Sequence, residues 1–301
     1  FNQWDSVQNL AKQEILALSE GSQAEPDDAL VEAMAVAIRG AVDDPAFASL
    51  LTRLPDVGEL FQERQPADPV ALNTARKKLQ AALYSKLSDF VDDILAKSSP
   101  EPYDPGAEQA GERALRTALI NLLAASGHDE AGERLLGLYN AATNMTEKLA
   151  ALRGLAGLEG AARETALADF ERTWKSNPLV MDKWFGVQAG TGDAATVSKL
   201  AAHPDFDMGN PNRVRSVAAA FAMQNLSGFH APDGSGYEVI EGIILKADKV
   251  NPALGARLLT AFEQWRILEP KAKAEAEACL RRLQAADLSK NSADIVSRAL
   301  S

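Results

Sequence analysis

The chain has 301 residues, and its 42 acidic and 31 basic side chains give a formal net charge of −11. This charge argues against binding to nucleic acids or anionic membranes, because no basic surface offsets the repulsion. Hydrophobic residues make up 46% of the chain and charged residues 24%, which is ordinary for a folded globular protein. No apolar run reaches the length of a membrane span. We therefore expect neither a nucleic-acid nor a membrane partner.

The cysteine content bears on the compartment. Cys279 is the single cysteine, so an intramolecular disulfide bond is excluded and a reducing compartment, the cytoplasm, is expected. No signal segment with a charged start and an apolar core opens the chain. The sequence begins at Phe1 rather than Met, which fits trimming, processing or a fragment cut from a longer polypeptide.

Helical periodicity runs through almost the whole chain, and runs of β-branched residues are scarce. Apolar stripes at helical spacing extend from Val180 to Val187, from Val214 to Ala222 and from Leu254 to Trp265. Further helices are predicted over Asp5–Leu18, Ala29–Ile38, Gly111–Ala125, Ala131–Ala141, Thr146–Leu158, Ala162–Trp174, Lys271–Leu283 and Ser292–Leu300. The pattern predicts an all-α protein.

Several predicted helix starts share one signature, an Asp or Asn followed by proline. The side-chain oxygen caps a free backbone N–H, and proline lacks the donor that would be unsatisfied there. The pairs are Asp68-Pro69, Asn177-Pro178, Asn210-Pro211 and Asn251-Pro252. The last three starts lie 33 and 41 residues apart, a spacing typical of stacked helix pairs. This predicts an α-solenoid, a HEAT- or armadillo-like superhelix of stacked helix pairs.

Breaks in the helical pattern indicate the domain organisation. The proline-rich segment around residues 98–106 is the strongest break in the helical pattern and a possible subdomain boundary. Because helical periodicity continues on both sides of it, we expect residues 1–301 to form one domain.

The residues that usually carry catalysis show no catalytic or metal-ligand spacing. None of His128, His203 and His230 belongs to an HExxH pair. His128 is expected at an exposed helix start and His203 in an exposed loop. Cys279 lies in the apolar pattern of a helix, which favours a buried structural thiol. Asp233–Gly236 follows no strand and is expected to be a tight turn. We therefore predict no catalytic residue, metal ligand or cofactor in this chain.

Distinctive stretches in the second half point to a family. They are NPLVMDKWF (Asn177–Phe185), NPNRVRS (Asn210–Ser216) and FHAPDGSGY (Phe229–Tyr237). In this order and spacing they closely resemble the C-terminal helical domain of the bacterial aminopeptidase N family, the zinc-dependent alanyl aminopeptidases of the thermolysin-like gluzincins. The opening Phe1–Asp5 and the last helix, Ser292–Leu300, extend the resemblance over essentially the whole chain.

The resemblance implies a role within a larger enzyme that removes N-terminal amino acids from peptides. In this family a β-rich domain and a thermolysin-like domain come first, and the latter carries the HExxH zinc site and a GxMEN motif. Neither motif occurs here, so zinc is expected in the parent enzyme, and the isolated chain is expected to be inactive. The helical domain is expected to cap the catalytic cleft and enclose the substrate chamber. Its partners would be the catalytic domain of the same polypeptide and peptide substrates.

Two arginines are the substrate-binding candidates that the resemblance implies. Arg215 and Arg257 match family positions whose side chains line the cavity. Each lies at the border of its apolar stripe, where an arginine can extend a planar guanidinium toward a carboxylate. That carboxylate would be a peptide C-terminus or a side chain of the catalytic domain. Arg213 lies at the opposite edge of the stripe that Arg215 borders, so periodicity does not separate these two arginines.

The residues around these arginines are predicted to be structural. Trp184 and Phe185 are expected in the core, and Asp182 and Lys183 in surface or interhelical pairs. The segment from His230 to Tyr237 is expected to be a loop that packs against a neighbouring helix.

One alternative to the enzyme domain belongs to a different functional class. An independent helical-repeat scaffold would bind another protein on its concave face. The length of the native reading frame distinguishes the two, because only the enzyme domain requires upstream HExxH and GxMEN motifs.

Overall fold

The computed structural model describes residues 2–97 and 102–301, and helices dominate both ranges. No strand occurs in these ranges; the backbone of Ala67 and Leu268 forms an isolated parallel bridge. The all-α prediction is therefore confirmed. Within the described ranges no helix is both long and apolar enough to cross a bilayer.

Contacts divide the chain into two compact units. The first comprises Phe1–Leu60 and Ala71–Phe170, and the second Phe61–Val70 and Glu171–Ser301. Phe1 and residues 98–101, which include part of the predicted subdomain break, lie outside the described residues. The single domain over residues 1–301 stays a prediction.

The first unit is built mainly from helices α1 to α9. Their bounds are α1 Asn2–Ser19, α2 Asp28–Gly40, α3 Pro45–Thr52, α4 Val57–Glu63, α5 Pro69–Leu95, α6 Ala107–Ala125, α7 Ala131–Ala141, α8 Met145–Ala156 and α9 Ala161–Trp174. Helix α6 packs against α3, α7 and α8. Arg116 of α6 is buried, and its Nε lies 3.1 Å from Glu147 Oε2 of α8. Its Nη1 donates to the carbonyls of Ile94 and Lys97, so one guanidinium connects three helical segments.

The second unit is built mainly from helices α10 to α18. Their bounds are α10 Pro178–Ala189, α11 Ala194–Ala201, α12 Pro211–Val214, α13 Ala220–Gln224, α14 Leu226–Phe229, α15 Ser235–Val250, α16 Pro252–Leu258, α17 Pro270–Ala285 and α18 Lys290–Leu300. Helix α15 packs against α16 and α17, and α18 packs against the same two helices. The buried carboxylate of Asp248 in α15 accepts hydrogen bonds from Ser289 N at 2.6 Å and Ser292 Oγ at 2.5 Å. It therefore holds the start of α18.

The predicted proline starts are confirmed. Helices α5, α10, α12 and α16 begin at Pro69, Pro178, Pro211 and Pro252. The preceding Asp or Asn accepts a first-turn N–H in each case; Asn177, for example, accepts from Val180 N. Asp44-Pro45 begins α3 in the same way, an additional start that was not among the predicted ones.

Two predicted stripes are interrupted in the structure. The stripe from Val214 to Ala222 is buried, but residues Arg215–Ala219 form a π-helix between α12 and α13. The stripe from Leu254 to Trp265 was wrongly read as one helix, because α16 ends at Leu258 and two 3₁₀ segments, Leu259–Phe262 and Trp265–Ile267, follow. The tighter 3₁₀ turn shifts the buried position from Ala261 to Phe262.

Candidate functional site

Arg213 is a buried structural residue and not a surface cation. Its Nε donates to Asp182 Oδ1 at 2.6 Å, and its Nη groups donate to the carbonyls of Asp205 and Pro178. The guanidinium also lies over the ring of Phe185, 4.3 Å from the ring centre. Arg213 thus fastens α12 to the start of α10, and Asp182 is an interhelical partner, as predicted.

Arg215, two residues further on, is exposed. It is the first residue of the π-helix, and its Nη2 donates to Asn212 Oδ1 at 2.5 Å. A guanidinium carries five N–H donors, so one local acceptor leaves most of them to solvent. The structure therefore separates two arginines that the stripe could not: Arg213 is engaged within the fold, and Arg215 is available to a ligand.

Arg257 lies in the last turn of α16 and is also exposed. Its neighbours Leu254 and Leu258 are buried, so the arginine lies beside the apolar face, as the periodicity predicted. Its carbonyl accepts from Thr260 Oγ1 at 2.8 Å. Both candidate arginines belong to the second unit.

The prediction of an exposed His203 was wrong. Its ring packs against Trp184 and Phe185, 5.3 Å from each ring centre, and 19% of the side chain is exposed. Both partners are buried, as predicted. The apolar surface of α10 covers the ring of His203. The position of His203 in a loop did not predict this contact.

His203, Glu171 and Asp205 are close enough to be tested as metal ligands, since one ligand atom from each lies within 4.8 Å of the others. His203 Nδ1 accepts the backbone N–H of Asp205 at 3.1 Å, so the neutral ring carries its proton on Nε2. That Nε2 lies 3.3 Å from Glu171 Oε1. A zinc ion would need the Nε2 lone pair, and the other tautomer would set two N–H donors against each other. This group therefore does not fit a zinc site, and it fits a histidine–carboxylate hydrogen bond.

The loop predicted from His230 to Tyr237 is shorter in the structure: it covers residues 230–234, because Phe229 ends α14 and residues 235–237 begin α15. His230 is buried, its Nδ1 lies 2.7 Å from the hydroxyl of Tyr237, and that hydroxyl donates to the carbonyl of Ala272 in α17. Burial lowers the pKa of His230 to about 3, so the ring is neutral at physiological pH. Phe229 packs against both rings. The loop is thereby fixed to α17 through an aromatic cluster.

The conformation of Gly234 and the burial of Cys279 both point to structural roles. Gly234 has φ +76°, a left-handed conformation that favours glycine. Cys279 is buried, and burial raises the pKa of its thiol. A buried neutral thiol is a poor nucleophile, which agrees with the structural role predicted for Cys279.

Comparison with known proteins decides the family. A family model described as a domain of unknown function, DUF3458_C, with ARM repeats matches residues 1–301. The chain belongs to this family. The description as ARM repeats agrees with the predicted α-solenoid class.

Relatives connect this domain to aminopeptidases. The chain is 38% identical to an "Aminopeptidase N" of Caulobacter vibrioides over 309 positions, covering 100% of this chain and 36% of the relative. It is 32% identical to an "Aminopeptidase N" of Escherichia coli, covering 94% of this chain and 33% of the relative. The chain thus spans about a third of the length of the curated relatives it matches. The resemblance to the C-terminal domain of the aminopeptidase N family is confirmed.

A solved structure agrees with this assignment. The crystal structure of Legionella pneumophila aminopeptidase A in complex with aspartic acid matches 100% of this chain and 37% of its own chain. The TM-score is 0.86 and the sequence identity is 26%. The same helical domain therefore occurs within a longer aminopeptidase chain.

Proposed function

We propose that this chain is the noncatalytic C-terminal domain of a zinc aminopeptidase of the alanyl type, which removes N-terminal amino acids from peptides in the cytoplasm. The observation that carries the proposal is the match of the whole chain to about a third of proteins named aminopeptidase N. The remaining two thirds of the polypeptide would hold the zinc and its catalytic groups. Zinc would activate the water that attacks the peptide bond there.

Within that enzyme the domain would cap the catalytic cleft, enclose the substrate chamber and restrict access to it. A noncatalytic role is supported by the chemistry of its titratable groups. His203 presents an N–H where a metal needs a lone pair, His230 is buried and neutral, and Cys279 is a buried thiol. Its direct partners would be the catalytic domain and the peptide substrate.

Arg215 and Arg257 would bind the substrate within the chamber. Both guanidinium groups are exposed, and Arg215 lies in a π-helix, a feature often found at functional sites. A planar guanidinium pairs with a carboxylate through two parallel hydrogen bonds. We expect these arginines to orient the C-terminal carboxylate of a bound peptide.

The size of the native polypeptide tests the proposal. An antiserum raised against the 301-residue chain is used to recover the native protein, whose intact mass is then measured. We expect a polypeptide about three times as long as this chain, with HExxH and GxMEN motifs before it. A native protein of about this chain's own length would overturn the proposal and favour an independent helical-repeat scaffold.

A further inference from the structure

The first unit contains a small polar cavity. The cavity has a volume of about 140 Å³ and lies between the segment after α3, helix α5 and helix α6. Polar and charged side chains on its wall are Thr52, Arg53, Asp56, Arg76, Gln80 and Asn121. One water occupies about 30 Å³ in the liquid, so the cavity has room for a small ligand but not for a peptide.

Arg76 brings positive charge to this cavity without a carboxylate partner. Its Nε donates to the carbonyl of Pro55 at 2.8 Å, and its Nη groups donate to Gln80 Oε1 at 3.2 Å and the carbonyl of Leu54 at 3.4 Å. All three acceptors are uncharged, and two of the five N–H donors remain. Burial lowers the pKa of Arg76. A partly desolvated cation with neutral partners is stabilised when an anion binds beside it.

Gln80 adds a free donor next to Arg76. The residue is only 9% exposed, and its Oε1 is engaged by Arg76. Its Nε2 has no protein acceptor in the described ranges, and Gln80 lines the cavity. Asn121 adds a second side-chain amide on the α6 side. The wall thus carries the guanidinium of Arg76 and the amides of Gln80 and Asn121, groups whose N–H donors recognise a carboxylate.

Asp56 places a negative charge at the same cavity. Its carboxylate is exposed and close enough to Arg76 to influence the guanidinium. In the described part of the chain, however, no ion pair within 4.0 Å joins Asp56 to Arg76 or Arg53. The two signs of charge therefore border one cavity without neutralising each other directly.

A ligand that carries both a positive and a negative charge would complement Asp56 and Arg76 in this cavity. We propose that the cavity binds a free α-amino acid, with its carboxylate on Arg76 and Gln80 and its ammonium group on Asp56. A simple anion would leave Asp56 as a repulsive neighbour, and a simple cation would be repelled by Arg76 and Arg53. A zwitterion pairs with Arg76 through its carboxylate and with Asp56 through its ammonium group. The limited volume of the cavity favours small side chains such as that of alanine.

Titration of the full 301-residue chain with L-alanine tests the proposal, with the side-chain amide signals of Gln80 and Asn121 followed by NMR. Acetate and methylammonium serve as probes for each half of the ligand. We expect saturable shifts of both amide signals with L-alanine and weaker binding of either half. Asp56→Asn should weaken L-alanine binding by about tenfold or more and leave acetate binding unchanged or stronger.

A matched control removes the same charge elsewhere in the unit. Asp93 is exposed and lies 17 residues beyond Arg76 along α5, about 25 Å away in a straight helix. Asp93→Asn should bind L-alanine like the parent chain, and thermal unfolding would confirm that both variants are folded. The proposal is overturned if L-alanine gives no saturable shift at tens of millimolar. Acetate binding as tightly as L-alanine, or equal loss in Asp56→Asn and Asp93→Asn, would also overturn it.

Discussion

Arg213 and Asp182 form a buried ion pair, with Nε and Oδ1 2.6 Å apart, that joins α12 to α10. Only 5% of the arginine side chain and 16% of the aspartate side chain are exposed. The guanidinium of Arg213 lies over the ring of Phe185, so the stretches NPLVMDKWF and NPNRVRS meet at this contact. The two stretches therefore connect α10 to α12.

Removal of the aspartate charge tests this connection. Asp182→Asn should lower the free energy of unfolding by about 2 kcal/mol, because it leaves a buried guanidinium without its carboxylate. Urea unfolding gives the value directly. The adjacent exposed Lys183 supplies the control, and Lys183→Gln should change the free energy by less than about 0.5 kcal/mol. Equal small changes in both variants would show that the pair contributes little.

The buried carboxylate of Asp248 should control the docking of the last helix. It accepts hydrogen bonds from Ser289 N, Ser289 Oγ and Ser292 Oγ, and an asparagine cannot accept all three in the same way. We expect Asp248→Asn to increase amide hydrogen exchange in α18 by about tenfold or more. Asp287→Asn, an exposed change near the same helix start, should leave exchange unchanged. Uniform acceleration throughout the second unit would contradict a local role.

Buried His230 should make stability depend on pH. Its folded-state pKa of about 3 lies below the ordinary histidine pKa of 6.5, so as the pH falls the unfolded chain binds a proton that the folded chain does not. The contribution is fully present above pH 6.5 and is lost as the pH falls toward 3. His230 should therefore lower the free energy of unfolding by about 2 kcal/mol between pH 7 and pH 5.

The comparison with two variants isolates this effect from the carboxylates. His230→Gln should remove the His230 contribution to the difference between pH 7 and pH 5, although it also destabilises the protein at pH 7. His128→Gln, at an exposed position, should retain that contribution. If the two variants respond alike to pH, His230 is not the group responsible.

The candidate arginines should matter for peptides and not for small amides. In the proposed full-length enzyme, Arg215→Gln or Arg257→Gln should lower kcat/KM for peptides by about tenfold, because each change would remove the proposed pairing with the C-terminal carboxylate. Turnover of alanyl-anilide, which lacks that carboxylate, should change by less than about twofold. Arg298→Gln, an exposed arginine of α18, is the control. Equal losses on both substrates would contradict carboxylate recognition.

Helix starts and buried helix faces could be predicted from the sequence, because each depends on residues close together in the chain. The Asn-Pro starts at Asn177, Asn210 and Asn251 each use one side chain and the N–H groups that follow within three residues. The burial of Trp184 and Phe185 follows from helical periodicity in the same way.

The burial and partners of individual side chains could not be predicted from the sequence, because they depend on residues far apart in the chain. Arg213 and Arg215 border one stripe, and the contacts that bury Arg213 include Asp182, 31 residues away. His203 is covered by α10, and the 3₁₀ turn at Leu259–Phe262 moves a buried position by one residue. The cavity at Arg76 is lined by segments far apart in the chain, so no local sequence motif predicts it.

The most direct test of the central proposal compares zinc content and alanyl-anilide turnover in the isolated 301-residue chain and in the full-length polypeptide. The proposal predicts stoichiometric zinc and zinc-dependent turnover in the full-length protein, and neither in the isolated chain. Zinc-dependent turnover by the isolated chain would contradict it, because the catalytic centre would then lie among the residues described above.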